Sequence, residues 1–228
     1  PGSRNDLMIV KEMRFPYRGF PPSAREDSRV YRIIDSDGRL SFEKRSKKPE
    51  RLENEAHLLA VLAGIKGVPQ FQELNGPDEQ GFFGLRTEYS QGELLSETSE
   101  ALSAVAIARL SLTTFRTLVD VHRRGVVHGD VRPWNIIYDG RRAVLIDFEE
   151  GREGLHLPGP FAAYRARRNQ SDEVHAVLGD FKDLFSTVLF AISASPSRAA
   201  QLLTKITPKI VQKFHSPPPG HGVLRSGK

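Results

Sequence analysis

The sequence predicts an α+β protein with two lobes, a small β-rich lobe followed by a mainly helical lobe. Strand-like segments dominate the chain up to about residue 90, and most of the chain after residue 91 has helical periodicity. The length of 228 residues suffices for two lobes around a sizeable core. We divide the chain into an N-terminal extension with a poorly defined first strand, a first lobe, a second lobe and a disordered tail, at residues 1–27, 28–90, 91–215 and 216–228.

The composition is that of an ordinary globular protein and excludes several classes of protein. Apolar residues make up 39% of the chain and charged residues 27%, unlike a disordered sequence. The chain contains no cysteine, which excludes a disulfide scaffold, a thiolate metal site and a cysteine nucleophile.

The charge and hydropathy of the chain point away from nucleic acid and membrane. A net charge of +5 is a small excess, and nucleic-acid binding would need basic residues concentrated on one face. The longest apolar-rich stretch, Leu184–Ile192, is about half the roughly 18 residues that span a bilayer. We therefore expect no nucleic-acid partner, no membrane partner and an intracellular location, in the cytoplasm or alternatively the nucleus.

The first lobe begins with a predicted antiparallel β-hairpin. Val30–Ile34 is rich in β-formers, Asp35–Gly38 is a turn signal, and Leu40–Arg45 resumes an alternating pattern. Because side chains alternate along a strand, Lys44 shares a face with Phe42. A lysine thus lies where an apolar residue is expected.

A helix predicted over Glu50–Ala63 follows the hairpin. Its apolar residues recur at 3.6-residue spacing, and Glu55 lies on the edge of that stripe beside Leu59. Lys44 and Glu55 therefore both point inward from neighbouring elements. Burying either charge alone is costly and pairing offsets the cost, whereas the alternative is two side chains snorkelling at a surface.

The rest of the sequence predicts the last strands of the first lobe and the first helix of the second. Strand-like segments at Phe71–Leu74 and Phe82–Tyr89 end the first lobe, and a long helix over Glu100–Arg124 begins the second. Gly125 ends this helix. We expect one face of the helix to carry Leu112, Phe115, Leu118, Val119 and His122.

The most informative segment is the one after this helix. Asp130 and Asn135 are five positions apart around Pro133, which a regular helix does not tolerate in its interior, so this is a loop. The hairpin predicted next ends with the apolar strand Ala143–Ile146 and delivers Asp147. A carboxylate there is a poor core residue but a good metal ligand or catalytic group.

These residues resemble the protein-kinase-like fold, whose catalytic loop has the pattern H-R-D-x-x-x-x-N and whose metal motif is D-F-G. Here the motifs are His128–Asn135 and Asp147–Glu149. Lys44 and Glu55 match the strand lysine and its helix glutamate, and the resemblance covers roughly residues 28–195. It implies a small antiparallel N-lobe and a shortened helical C-lobe. The chain is most similar to fungal kinase-like proteins with HGDxxPxN and DFE, and it shares features with aminoglycoside and choline kinases.

The resemblance implies an ATP-dependent phosphotransferase that uses Mg²⁺, because phosphoryl transfer depends on positioning and charge neutralisation. Lys44, held by Glu55, would bind the α- and β-phosphates. Asp147 and Asn135 would ligate magnesium. The backbone of residues 88–90, which are Glu88, Tyr89 and Ser90, would bind the adenine.

The resemblance also assigns the residues around the acceptor. Asp130 would accept or orient the proton of the incoming hydroxyl, and Arg132 would steady the γ-phosphate, with a plain surface arginine as the alternative for Arg132. His128 would be structural. Asp183, at the start of an apolar helix, would anchor the catalytic loop from below.

Three departures from the family pattern affect these expectations. No G-x-G-x-x-G precedes Val30, which predicts weaker nucleotide affinity or a lid of different shape. Glu149 replaces the glycine of D-F-G, which restricts the backbone and adds a carboxylate beside the metal. Gly129 replaces the arginine that pairs with a phosphorylated activation loop, so we expect no activation by such phosphorylation.

The sequence leaves three functions open. The first is a protein kinase that acts on Ser/Thr hydroxyls, and the second is a kinase for a small cationic molecule. The second would use an acidic pocket lined by Glu149, Glu150, Asp172 and Glu173. The third is a non-catalytic scaffold without activity. The oligomeric state is not determined by the sequence.

Overall fold

The first lobe is built on a five-stranded antiparallel sheet. The computed structural model describes residues 8–13, 28–35, 37–98, 102–153 and 172–193. The order of the strands across the sheet is β1-β2-β3-β5-β4, with each neighbouring pair antiparallel. The strands are β1 (Met8–Met13), β2 (Ser28–Ile34), β3 (Leu40–Ser46), β4 (Phe71–Asn75) and β5 (Phe83–Glu88).

The predicted hairpin is present as β2 and β3. The Asp35 side chain accepts hydrogen bonds from the backbone N–H groups of Asp37 and Arg39, and Gly38 adopts the left-handed conformation that the turn needs, with φ of 78°. Lys44 lies in the central strand, paired with Val30 on one side and Leu85 on the other. The sheet includes β1, which lies before residue 28, while the rest of the predicted extension and the tail at 216–228 lie outside the described residues.

Helix α1 (Pro49–Val61) packs against this sheet. Proline occupies the first turn, where its missing N–H costs nothing, and the chain leaves the helix through Gly64 at φ of 83°. The helix ends two residues earlier than predicted, so Ala63 is exposed and Leu62 takes the buried position instead. The side chains that α1 buries are those of Leu52, Glu55, Ala56, Leu58 and Leu59.

The second lobe is mostly helical and carries the loop that contains Asp130 and Asn135. It also contains two small antiparallel sheets: one has the strand order β6 (Glu93–Leu94), β8 (Ile136–Tyr138), β9 (Ala143–Leu145), and the other pairs β10 (Arg152–Glu153) with β7 (Val126–Val127). Apolar residues from both lobes form one buried cluster that includes Leu59, Leu85, Leu118 and Leu145. The elements are β6 (Glu93–Leu94), α2 (Ala104–Arg123), β7 (Val126–Val127), a 3₁₀ turn (Pro133–Asn135), β8 (Ile136–Tyr138), β9 (Ala143–Leu145), β10 (Arg152–Glu153) and α3 (Asp172–Ser193).

The buried face of α2 differs from the predicted one. Leu112 and Phe115 are 48% and 38% exposed, whereas Thr114 and Thr117 are buried. Threonine can occupy these positions because its hydroxyl finds a backbone acceptor: Thr114 donates to the carbonyl of Leu110. The helix starts at Ala104, where the Ser103 side chain caps it by accepting from the N–H of Ala106. Within the described part of the chain, no helix is both long and apolar enough to span a bilayer.

Candidate functional site

The ammonium of Lys44 is the centre of the site. Its Nζ atom lies 2.9 Å from Glu55 Oε2, 2.5 Å from Asp147 Oδ1 and 2.8 Å from Glu149 Oε2. The side chain of Lys44 is only 16% exposed and that of Glu55 only 7%. The structure therefore pairs the two inward charges from β3 and α1, and it brings in Asp147 from a position 103 residues further along the chain.

The three carboxylates around the Lys44 ammonium shift the pKa of Lys44 and contribute to a shift in the pKa of Glu55. Burial alone would lower the pKa of Lys44, but Glu55, Asp147 and Glu149 outweigh it and hold that pKa well above its usual value. The pKa of Glu55 is also raised, by burial first and by the two other carboxylates, against the opposing effect of Lys44. Lys44 is therefore a fixed cation at neutral pH.

Asp147 reaches the cluster through an unusual backbone conformation. Its φ of 68° is the sole positive value among non-glycine residues in the ranges that the structure describes. The next residue, Phe148, donates its N–H to Glu55 Oε1 at 3.2 Å and packs its ring against His128, with ring centroids 4.4 Å apart. Positive φ in an aspartate costs energy, and these contacts of Phe148 with Glu55 and His128 hold the segment in place.

The segment after Asp147 is fixed to α1 by side chains that the sequence analysis missed. Asn54 Nδ2 donates to the carbonyls of Glu149 and Gly151, both at 3.0 Å. Arg51 Nη1 lies 3.0 Å from Glu149 Oε1. Arg51 precedes Glu55 by four positions and so lies on the same side of the helix, a spacing that could have revealed it.

The residues of the Asp130–Asn135 loop form a second group of contacts. Asn135 is 1% exposed, and its Nδ2 donates to the carbonyl oxygen of Asp130 at 2.9 Å and to Asp130 Oδ2 at 2.8 Å. The backbone carbonyl of Asn135 also accepts from the N–H of Ile146, which brings the residue before Asp147 beside the loop. The two parts of the predicted site therefore meet.

Arg132 lies at the surface, 54% exposed, and is paired with the predicted base. Its Nε lies 2.6 Å from Asp130 Oδ1, and its guanidinium lies 5.3 Å from the ring centroid of Trp134. Both carboxylate oxygens of Asp130 therefore have a partner, Oδ1 in Arg132 and Oδ2 in Asn135.

The residue that anchors the loop is Asp180, and the assignment to Asp183 was wrong. Asp180 is 1% exposed, and its carboxylate accepts from the backbone N–H groups of His128 and Gly129 at 2.9 and 2.8 Å. It also accepts from His122 Nε2 at 2.8 Å. Helix α3 begins at Asp172, so Asp183 lies in its middle, one turn beyond the anchoring position.

The glycine at position 129 is required by its left-handed backbone and by the nearby carbonyl of Glu150. Its φ is 84°, and a Cβ added there would lie 2.6 Å from the carbonyl oxygen of Glu150. His128 is likewise structural, as expected: its Nδ1 accepts from the N–H of Asp130, so its Nε2 donates to the carbonyl of Ile146 at 3.1 Å. The departure from H-R-D therefore has a steric reason in this chain.

Asp183 lies on the face of α3 that contacts the loop, since Thr187 on the next turn donates to the carbonyl of Val131. Burial raises the pKa of Asp183, Arg132 opposes the rise, and the nearby carboxylates of Asp180 and Asp130 reinforce it. A half-buried carboxylate therefore lies beside the predicted base.

The raised pKa of Asp183 predicts a pH-dependent effect on stability. A carboxyl group whose pKa is higher in the folded state stabilises that state below its unfolded pKa, about 3.9, and this contribution is lost as pH rises through the folded value. Asp183→Asn is therefore expected to raise the melting temperature by about 1–2 °C at pH 7 and to match the parent near pH 3.5. Thermal unfolding followed by circular dichroism across this range tests it, and a variant less stable than the parent at pH 7 contradicts it.

The segment expected to bind adenine lies where β5 ends. The N–H of Glu88 already donates to the carbonyl of Gln70 at 2.9 Å, so that donor is used within the protein. The ring of Tyr89 packs against Phe42, with centroids 4.9 Å apart. Ser90 follows directly and is half-buried. The expected backbone contacts of residues 88–90 to a base stay a prediction.

The donor set of the site fits magnesium. Glu55, Asp147 and Glu149 each offer a carboxylate oxygen, and these oxygens lie within 4.8 Å of one another. Magnesium prefers such hard oxygen ligands. The Nδ2 of Asn135 is used in hydrogen bonds to Asp130, so its side-chain oxygen is the atom suited to a cation.

Comparison with known proteins bears on the fold. No protein-family model and no curated protein matches this sequence. Solved structures do match, among them the kinase PK-1 of Cydia pomonella granulovirus, with a TM-score of 0.52 and 20% sequence identity over 64% of this chain. The chain spans 55% of the length of that viral kinase.

The match agrees with the arrangement described above. An antiparallel sheet and one helix form the first lobe, and helices dominate the second. The similarity to fungal kinase-like proteins stays a prediction. The α+β fold predicted from the sequence is confirmed, and it is a protein-kinase-like fold.

Proposed function

We propose that the protein is an ATP-dependent phosphotransferase that transfers the γ-phosphate of Mg-ATP to a hydroxyl group, with Ser/Thr side chains of proteins as acceptors. The observation that carries this proposal is the convergence of Lys44, Glu55 and Asp147 beside the Asp130–Asn135 loop. The fold shared with a viral kinase supports phosphotransfer. ATP and Mg²⁺ are the cofactors of the proposal.

The side chains suit the charge that such a reaction must neutralise. Lys44 would bind phosphate oxygens while Glu55 keeps its ammonium in position. Asp147 and Asn135 would hold the magnesium ion, which when bound neutralises charge on the phosphate oxygens. All of these groups are fixed by hydrogen bonds or ion pairs before substrate arrives, which is the preorganisation that electrostatic catalysis requires.

Asp130 would receive the acceptor hydroxyl. Asn135 holds Oδ2, so Oδ1 is the oxygen that would take the hydroxyl proton, beside or in place of its contact with Arg132, because a carboxylate oxygen has two lone pairs. If Arg132 turned away from Oδ1, it would be available to the γ-phosphate. That rotation would also make Asp130 a stronger proton acceptor, since it removes a neighbouring cation.

A small-molecule kinase is the second candidate, and Asp183 favours it. A half-buried carboxylate beside Asp130 would attract a cationic acceptor. Of the acidic residues first considered for this pocket, Glu149 is occupied by Lys44 and Arg51, and the side chains of Asp172 and Glu173 lie outside the described residues. ADP release with Ser/Thr peptides, choline, ethanolamine and aminoglycosides separates the two candidates.

Nucleotide binding tests the proposal against the scaffold alternative. Any ligand that binds only the folded state raises the melting temperature as its concentration exceeds the dissociation constant. We expect millimolar Mg-ATP to raise the melting temperature of the parent by about 2 °C or more, and to leave Asp147→Ala nearly unshifted, since that variant loses the proposed metal ligand. No shift of the parent protein would support a non-catalytic scaffold.

A further inference from the structure

Five charged side chains form a continuous chain of ion pairs between the two lobes, and the exposed Glu150 lies at its outer end, 3.9 Å from Arg51. Glu149 connects the two cations Lys44 and Arg51, because its Oε2 contacts Lys44 at 2.8 Å and its Oε1 contacts Arg51 at 3.0 Å. Glu55 and Asp147 also contact Lys44. Without Glu150, which is 61% exposed and therefore screened by water, the cluster holds three carboxylates and two cations, and one carboxylate is in excess.

The position of Glu149 is fixed by the backbone. Asn54 on α1 binds the carbonyl of Glu149 and, two residues on, the carbonyl of Gly151. Gly151 is tightly enclosed, since an added Cβ there would lie 2.7 Å from Leu58 Cδ1. The carboxylate of Glu149 is therefore presented to Lys44 by an anchored segment, and its side chain is only 20% exposed.

The ammonium of Lys44 has no donor left for a phosphate. A lysine ammonium carries three N–H donors, and the three carboxylate oxygens lie at hydrogen-bonding distance from Nζ. A phosphate oxygen that binds Lys44 must therefore displace one of them. Glu55 is the most enclosed and is tied to the N–H of Phe148, whereas Glu149 retains a second cation, Arg51, when it leaves.

We propose that Glu149 competes with the nucleotide phosphates for the Lys44 ammonium. As a consequence, the site around Lys44 selects a nucleotide with a bound divalent cation over the free nucleotide. This inference rests on the proposed function. A free triphosphate brings its full negative charge to a cluster that already has a carboxylate in excess, and repulsion between like charges is strong where water is largely excluded. A divalent cation compensates for that excess.

Arg51 has a defined part in this competition. Arg51 is the second cation that contacts Glu149. Its side chain is 53% exposed, so it lies on the solvent side of the cluster. Removing its charge leaves Lys44 as the main cation near Glu149, which strengthens the contact that the nucleotide must break. Loss of Glu149 and loss of Arg51 are therefore expected to change nucleotide affinity in opposite directions.

Isothermal titration calorimetry on the full chain tests the proposal, with ATP titrated once in excess Mg²⁺ and once in EDTA. In Glu149→Gln, which keeps the shape of the side chain, we expect metal-free ATP to bind about tenfold more tightly and Mg-ATP to change less than about threefold. The matched control is Glu53→Gln, which removes an exposed carboxylate from α1 and should leave both dissociation constants within about twofold.

The outcomes separate this inference from the proposed function. If the parent protein binds neither Mg-ATP nor metal-free ATP, both the proposed function and this inference are wrong. If the parent binds Mg-ATP but Glu149→Gln leaves the affinity for metal-free ATP unchanged or lower, the inference alone is wrong. Should Glu149→Gln fail to fold, Arg51→Gln still decides: weaker binding of metal-free ATP with a smaller change for Mg-ATP supports the competition, and unchanged or tighter binding of metal-free ATP, or an equal loss for both forms, overturns it.

Discussion

Replacing Asp130 by asparagine is expected to lower kcat by about 10²–10⁴-fold, the usual contribution of a positioned proton acceptor. An asparagine can keep the hydrogen bond that Asn135 now donates to Oδ2, so the loop should stay in place. It cannot take a proton from the acceptor hydroxyl. The affinity for Mg-ATP should change little, because the partners of Asp130 are Arg132 and Asn135 rather than Lys44.

Two measurements on the same preparation check this prediction. Steady-state ADP release gives kcat, and calorimetry gives the dissociation constant of Mg-ATP, which separates a loss in the reaction from a loss in binding. Asp120→Asn is the matched control, since it removes an aspartate that is 51% exposed on α2. Turnover of Asp130→Asn within threefold of the parent would show that Asp130 is not the proton acceptor.

Local periodicity was sufficient to find the centre of the site. Alternation along β3 placed Lys44 on the inward face, and the 3.6-residue repeat of α1 placed Glu55 on its buried edge. Both inferences concern residues within one element. Motif spacing then related Asp130, Asn135 and Asp147, because one loop and one hairpin connect them and few alternative geometries are possible.

Contacts between distant elements could not be derived in this way. Asp180 and Asp183 lie one turn apart on α3, so both are compatible with the same helix face. The choice between them depends on how α3 is placed against His122 and Gly129. Asn54 was missed for the same reason, because its partners lie 95 and 97 residues further along the chain.

Hydrophobicity alone also misassigned the buried face of α2. It favoured Leu112 and Phe115, yet the helix buries Thr114 and Thr117. Thr117 lies against Gly67, where an added Cβ would approach its Oγ1 to 2.3 Å, and it donates to the carbonyl of Lys66. A small side chain with a satisfied hydroxyl fits this close approach, and leucine does not.

Removing the Asp180 carboxylate should have the largest effect on stability. Asp180→Ala leaves the N–H groups of His128 and Gly129, together with the ring of His122, without their buried acceptor. Breaking a buried hydrogen-bonded charge of this kind costs about 3–5 kcal/mol. For a chain of this size that corresponds to a fall in melting temperature of about 6–20 °C.

Thermal unfolding followed by circular dichroism at pH 7 tests this, with Asp183→Asn as the control one turn away. The two variants should shift in opposite directions, because Asp180 is a buried acceptor with three donors while burial makes the charge of Asp183 unfavourable. Asp180→Asn, which keeps one acceptor oxygen, should fall between Asp180→Ala and the parent. A melting temperature of Asp180→Ala within about 2 °C of the parent would mean that the loop is held by other contacts, such as that of Thr187 with Val131.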